Sequence, residues 1–239
     1  MIGLGTIINA GAIVVGGLLG LLLKNALPQR ISDTLTKAIG ICVLFIGLSG
    51  ALQNMFTIED GALSVGGTMM TIFSFIGGSI LGGALDLEGR LERFGVWLRK
   101  RAGADGDSGF LNAFLTASLT VCIGAMAVVG AINDGLFGDI SLLVTKSILD
   151  AIIIMVMSAT MGKGCIFSAI PVAIFQGLVT LFARFLQPIM TAQATSNLAL
   201  TGSILVFCVG VNLIWDQQRL KVANMLPTLI FAVALAFVL

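Results

Sequence analysis

Of 239 residues, 57% are hydrophobic and 10% charged, and the formal net charge is +1. A soluble domain carries about a quarter charged residues, so this chain cannot bury its apolar surface in a water-facing globule and reads as a single membrane domain. The near-neutral balance argues against nucleic acid as a partner, and with no His and no Tyr the chain lacks the commonest general base and metal ligand.

A helical span needs about 20 mostly apolar residues. The stretches that qualify are 2–23, 38–54, 67–85, 110–131, 147–161, 164–185, 198–214 and 222–239. The fold class expected is therefore an all-α polytopic membrane protein of about eight transmembrane helices, seven if the last two tilt or re-enter. The fifth stretch is short and needs length from the segment before it. The first run, Ile2 to Leu23, has no basic residue ahead of it, and Lys24 and Arg30 follow it. A secretory signal has the opposite arrangement, so the run is expected to stay as a helix with its N-terminus outside.

Basic residues orient the remainder. With the N-terminus outside, the inner segments hold Lys24, Arg30, Lys37, Arg90, Arg93, Arg99, Lys100, Arg101, Lys163, Arg219 and Lys221, and the outer ones hold only Lys146 and Arg184. The outer loops carry Glu59, Asp60, Asp134 and Asp139 instead. Eight spans then leave both termini outside.

Between the third and fourth spans lies the longest polar stretch, Asp86 to Gly109. Leu87, Leu91, Phe94 and Leu98 recur at helical spacing, with Arg90, Arg93, Lys100 and Arg101 largely on other faces. Such a helix is expected to lie in the inner interface among anionic lipid headgroups, followed by a flexible tail from Ala102. It divides the chain into a first half, 1–85, a cytoplasmic connector, 86–109, and a second half, 110–239.

The halves share a motif. Leu27-Pro28 precedes Ile31-Ser-Asp-Thr-Leu-Thr36-Lys37, and Leu136-Phe137 precedes Ile140-Ser-Leu-Leu-Val-Thr145-Lys146, with a fainter copy from Leu186 to Asn197. The first copy starts outside and the second inside, the arrangement of inverted-repeat transporters, although short similarities also arise in low-complexity apolar sequence. Gly16 and Gly20, Gly78 and Gly82, and Ser79 and Gly83 are small-xxx-small pairs. They suit close helix packing, within one subunit or between the subunits of a homo-oligomer.

The polar groups concentrate between Cys122 and Ala183. Asn133-Asp134-Gly135 reads as a helix end or as oxygen ligands for a cation, and Asp139 as a cap for the next helix. Lys146 and Asp150 stand four residues apart and share a helical face, as a structural ion pair or as an ionisable site at membrane depth. Pro171 removes a backbone donor and is expected to open its helix, while Ser168 and Gln176 add hydrogen-bonding groups. Asn9, Asn112, Thr116, Asn212 and Asn224 read as helix–helix hydrogen bonds. The four cysteines read as small packing residues, and no cofactor or metal site is expected.

The run Gly124-Ala-Met-Ala-Val-Val-Gly130, with Asp134-Gly-Leu, Gly138-Asp139, Lys146-Ser147, Leu149-Asp150, Phe167-Ser-Ala-Ile-Pro171 and Gln176-Gly177, resembles the YdfK/YqgA-like family of bacterial inner-membrane proteins, a domain of unknown function. Gly5-Thr-Ile-Ile-Asn9 and Val222-Ala-Asn224-Met-Leu-Pro227 extend the resemblance over nearly the whole chain. It departs at Asn133, where the family often carries Gln, and at Ala151, often Gly. The resemblance implies a bacterial cytoplasmic-membrane location and no particular activity.

Two functions from different classes fit these residues. One is a secondary transporter or channel-like permease for a small solute or ion, with Asp150 and Asp134 as charged site residues, Lys146 as tuning partner, and Asn133, Ser168 and Gln176 as polar lining. No Walker motif is present, so an ion gradient or downhill flow would drive it. The other is a non-transporting integral subunit or scaffold of a membrane complex. An enzyme is disfavoured, because no nucleophile and base pair stands out.

Overall fold

The computed structural model describes residues 2–24, 28–59, 62–104, 106–215 and 220–238. Leu27, Asp60 and Arg219, which enter the sequence readings, and Asp105 of the tail after Ala102 lie outside the described residues. Among the described residues, five helices are long and apolar enough to cross a membrane: α1 (Leu4–Lys24), α2 (Gln29–Met55), α7 (Ser141–Met161), the 3-10 turn Lys163–Ser168 continued by α8 (Ala169–Leu181), and α10 (Ala192–Ile214). Two bent pairs raise the number to as many as seven. These are α3 (Thr68–Ala84) with α4 (Leu87–Arg101), bent by 54°, and α5 (Phe110–Cys122) with α6 (Ala125–Phe137), bent by 63°. The short pieces α9 (Ala183–Leu186), α11 (Val222–Met225) and α12 (Thr228–Leu235) complete the helices.

Burial runs opposite to that of a water-soluble protein. Leu22, Phe45, Ile80 and Ile152 face outward, while Asn9, Ser74, Asp150, Gln176 and Thr201 are buried. An apolar surround such as lipid explains both halves of that pattern, because backbone and polar groups must then find partners inside.

Several boundaries move from those expected. The second and fifth spans begin earlier, at Gln29 and Ser141, so Ile31 to Lys37 and Ser141 to Lys146 of the shared motif are helical, and Lys146 and Asp150 lie well inside α7 instead of at its outer end. Thr and Ser are tolerated there because their hydroxyls bond back one turn, as Thr36 does to the Ser32 carbonyl and Thr145 to Ser141. The predicted span 110–131 is broken in two. An antiparallel hairpin, β1 (Phe56–Glu59) with β2 (Ala62–Val65), also interrupts the all-α expectation.

The two halves of the chain pack helix against helix. α1 lies parallel to α7: a side chain on Gly16 would run into the carbonyl of Ala151, and one on Gly20 into that of Met155. α3 runs antiparallel to the α11–α12 pair, with Gly78 against Thr228 and Gly82 against Asn224, whereas Gly83 meets nothing. The first two small-residue pairs therefore pack within the subunit. α2 and α10 are antiparallel as well, Gly40 lying against Leu213 and Gly50 against Ser203. The apolar face of α4 rests on protein: Leu98 is buried with Phe110 and Phe114, and Phe94 packs beside them. Asn224 accepts from the Glu88 amide at 2.8 Å, and Glu88 accepts from the Ala223 amide at 3.0 Å, which ties α4 to α11.

Candidate functional site

α7 brings Lys146 and Asp150 onto one face, turned into the protein. The Lys146 ammonium meets both carboxylate oxygens, at 2.8 and 2.6 Å, and donates to the Val121 carbonyl at 2.9 Å. Lys146 is 7% exposed and Asp150 3%. Removing both charges from water is costly, and only close pairing with further hydrogen bonds offsets it.

The Val121 carbonyl is available because the α5–α6 helix is interrupted. Ile123 is extended and Gly124 has φ 148 and ψ 146, a conformation that only glycine adopts without strain. The last carbonyls of α5 therefore lack helical partners, and the negative end of that helix faces the ammonium. Cys-Ile-Gly carries little sequence signal, and this break was not anticipated from the chain. The break expected at Pro171 does not occur. Pro171 sits in the first turn of α8, where its amide would have no helical partner anyway.

Asn9 of α1 closes the cluster. Its Nδ2 donates to Asp150 Oδ2 at 3.1 Å and to Gln176 Oε1, on α8, at 3.3 Å. The carboxylate only accepts, which fixes the orientation of the Asn9 amide and through it that of Gln176. That leaves Asn9 Oδ1 and Gln176 Nε2 buried without partners among the described residues, and Thr6 and Thr180 hydroxyls likewise. α1 and α8 run antiparallel, so Thr6 and Thr180 stand at one level, a turn from the Asn9–Gln176 contact. The result is a file of unpaired polar groups between two helices. Asn9 thus makes the helix–helix hydrogen bonds expected of it; nothing in the sequence signalled that Asp150 and Gln176 would be its partners.

The other expected site residues lie apart. Asp134 accepts from the amides of Gly3 and Gly5, at 3.1 and 3.0 Å, and so caps the start of α1. By helical rise that is about 6 Å along α1 from Asn9, at the end of the polar file. Asn133 is half-buried on α6 and takes no part in the cluster. Ser168 is buried, but its hydroxyl donates to the Cys165 carbonyl at 2.7 Å, about two helical turns before Gln176 in the same span. Asp139 is fully exposed and accepts from the Ser141 amide and hydroxyl, at 3.0 and 2.7 Å. These bonds hold its carboxyl below the usual aspartate range, the hydroxyl first and then the amide.

Residues 4–237 match a family model described as a protein of unknown function, DUF554. The chain belongs to the DUF554 family. It is 27% identical over 235 residues to an uncharacterized membrane protein, YdfK, of Bacillus subtilis, covering 98% of this chain and 96% of that one. It is 26% identical over 240 residues to an uncharacterized protein, YqgA, of Escherichia coli, with the same coverage of 98% and 96%. No solved structure matches. The DUF554 match and the YdfK likeness agree with the resemblance carried by the sequence motifs and with a membrane protein.

Proposed function

We propose that this chain is a secondary transporter or channel-like permease for a small polar solute or ion. The observation that carries this reading is the unspent hydrogen-bonding capacity beside a buried ion pair: among the described residues Asn9 Oδ1 and Gln176 Nε2 have no partner, one turn from Thr6 and Thr180. A purely structural clasp gains nothing from a buried acceptor and donor left open, since each costs about 1–3 kcal/mol. A solute carrying both a donor and an acceptor would satisfy them. Asp134 stands at the outer end of the file, Asp150 and Lys146 at its inner end, and the broken α5–α6 helix supplies a backbone carbonyl. Asn133 and Ser168 are outlying members of the expected lining. The chain would cross a bacterial inner membrane eight times with both termini outside, counting α5–α6 and α11–α12 as one crossing each. Coupling would run through Asp150, without ATP, cofactor or covalent chemistry.

Currents from proteoliposomes on a solid-supported membrane, across a panel of ions and small polar metabolites, test this reading. A substrate-dependent current that disappears in Asp150→Asn and in Asn9→Leu, with both proteins folded, is the expected result. A current unchanged in both variants would remove the cluster from the mechanism.

A second reading is favoured by one feature. Asp134 caps a helix and Asp150 is fully paired by Lys146 and Asn9, so the acidic groups are locally satisfied, as a non-transporting subunit or scaffold of a membrane complex requires. Silence across the panel, together with a stoichiometric partner retained on mild purification, would favour it.

A further inference from the structure

On the far side of the α5–α6 break from the ion pair lies a cavity of about 710 Å³, with Leu119, Cys122, Pro171, Phe175, Leu229 and Val233 among its walls. Its volume falls in the range of about 300–1,000 Å³ that small-molecule sites occupy. The lining is apolar apart from Ser118 and Cys122. From the level of α4 it reaches past Phe175 to Leu186 and Met190 beyond α8, a long shape suited to a chain and not to a compact solute. At the α4 end it continues into a vestibule of about 310 Å³ that shares Leu87, Leu91 and Leu226 with it and adds Arg90. Arg90 is exposed, and among the described residues no carboxylate pairs with it, whereas the neighbouring Arg93 meets Asp86 at 3.6 Å. Glu88, on the same helix, is engaged with the Ala223 amide.

We infer that this groove holds one acyl chain of an anionic phospholipid from the surrounding membrane, with the headgroup at Arg90. An apolar groove alone does not select a lipid, because a chain leaving the bilayer for it exchanges one apolar environment for another. Selection rests on the cation at the mouth, and a single Arg near an anionic headgroup gives roughly a fivefold preference. The occupant lies against Leu119 and Cys122, which flank the carbonyl that holds Lys146, so the bound chain braces the broken helix from its open side. A second copy of the chain would have to seat its own surface against a cation that no described carboxylate pairs with to fill the same space.

The test is native mass spectrometry of the full chain, released from bilayers of equal phosphatidylglycerol and phosphatidylethanolamine. We expect one retained lipid, with phosphatidylglycerol favoured about fivefold, and a ratio near one in Arg90→Ala. Ala234→Trp, at an exposed wall position, fills the groove and loses retained lipid of both kinds while eluting as a folded protein. No retained lipid, no headgroup preference, a preference that survives in Arg90→Ala, or a dimer whose groove stays lipid-free would each overturn the inference.

Discussion

Asp150 and Lys146 are bound to each other more tightly than to anything else in the fold, so their energetics separate from their function. Lys146→Met leaves a buried carboxylate with Asn9 as its one remaining partner among the described residues, and removing one partner of such a pair costs about 3–5 kcal/mol. Lys146→Met with Asp150→Leu removes both charges and is expected to restore stability to within about 1 kcal/mol of the parent, since well-packed apolar replacements of buried pairs are often neutral. Thermal unfolding in detergent measures both. A double variant that is stable and inert in transport would assign the pair to function. One as destabilised as the single variant would show that the cluster needs its charges to fold. Asp139 gives a pH prediction of smaller scale. Its carboxyl lies below the aspartate range because Ser141 donates to it, so its contribution is present above the unfolded value and is lost as pH falls through the lower, folded one. The difference in melting temperature between the parent and Asp139→Ala should hold steady from neutral pH down to about 4 and shrink on further acidification. A difference that grew with acid would contradict the bonding described.

Among the elements, the α5–α6 helix decides the site, and Gly124 decides the helix. A Cβ at Gly124 would meet nothing within 4 Å, so Gly124→Ala isolates backbone strain from steric clash. The expected cost is about 1–3 kcal/mol, read as a lowered melting temperature. If the helix straightens to relieve that strain, the Val121 carbonyl turns back to a helical partner and Lys146 loses an acceptor. Gly20→Leu acts differently, since its side chain meets the α7 backbone and forces α1 and α7 apart; it is expected to prevent stable insertion altogether. The ion pair and Gln176 were legible in the sequence because charge and amide groups stand out in apolar runs. Spacing of four residues told that Lys146 and Asp150 meet. Nothing local told that Asn9, well over a hundred residues away, would join them, or that Asp134 would be claimed by the start of α1. Those are tertiary facts, set by which helices neighbour one another. Pro171 misled for a related reason: proline breaks a helix only in its interior, and α8 begins just before it.

For the molecule as a whole, hydropathy and glycine spacing located the apolar segments and the close-packed faces, whereas the way α1, α2 and α3 pair with α7, α10 and α12 had no signature in one sequence. That pairing now makes the sidedness testable. α1 and α7 are parallel, and α2 runs antiparallel to α10, so the β1–β2 hairpin falls at the end where α1 begins and α4 at the other. The basic residues Arg90, Arg93, Arg99, Lys100 and Arg101 lie with α4, and cations are retained on the cytoplasmic side. In a background with the four native cysteines replaced, Ile58→Cys, at the 80% exposed hairpin position, should react with a membrane-impermeant maleimide in intact cells. Ser108→Cys, exposed in the segment after α4, should react only after the membrane is opened. The reverse pattern would place the polar file between α1 and α8 with its Asp134 end toward the cytoplasm, and Arg90 in the outer leaflet. The headgroup preference would then be drawn from the opposite face of the bilayer. Labelling of both positions in intact cells would mean that the chain inserts in two orientations. A single charge bias of this size should not permit that, because the basic residues cluster on one connector and leave the far side with almost none.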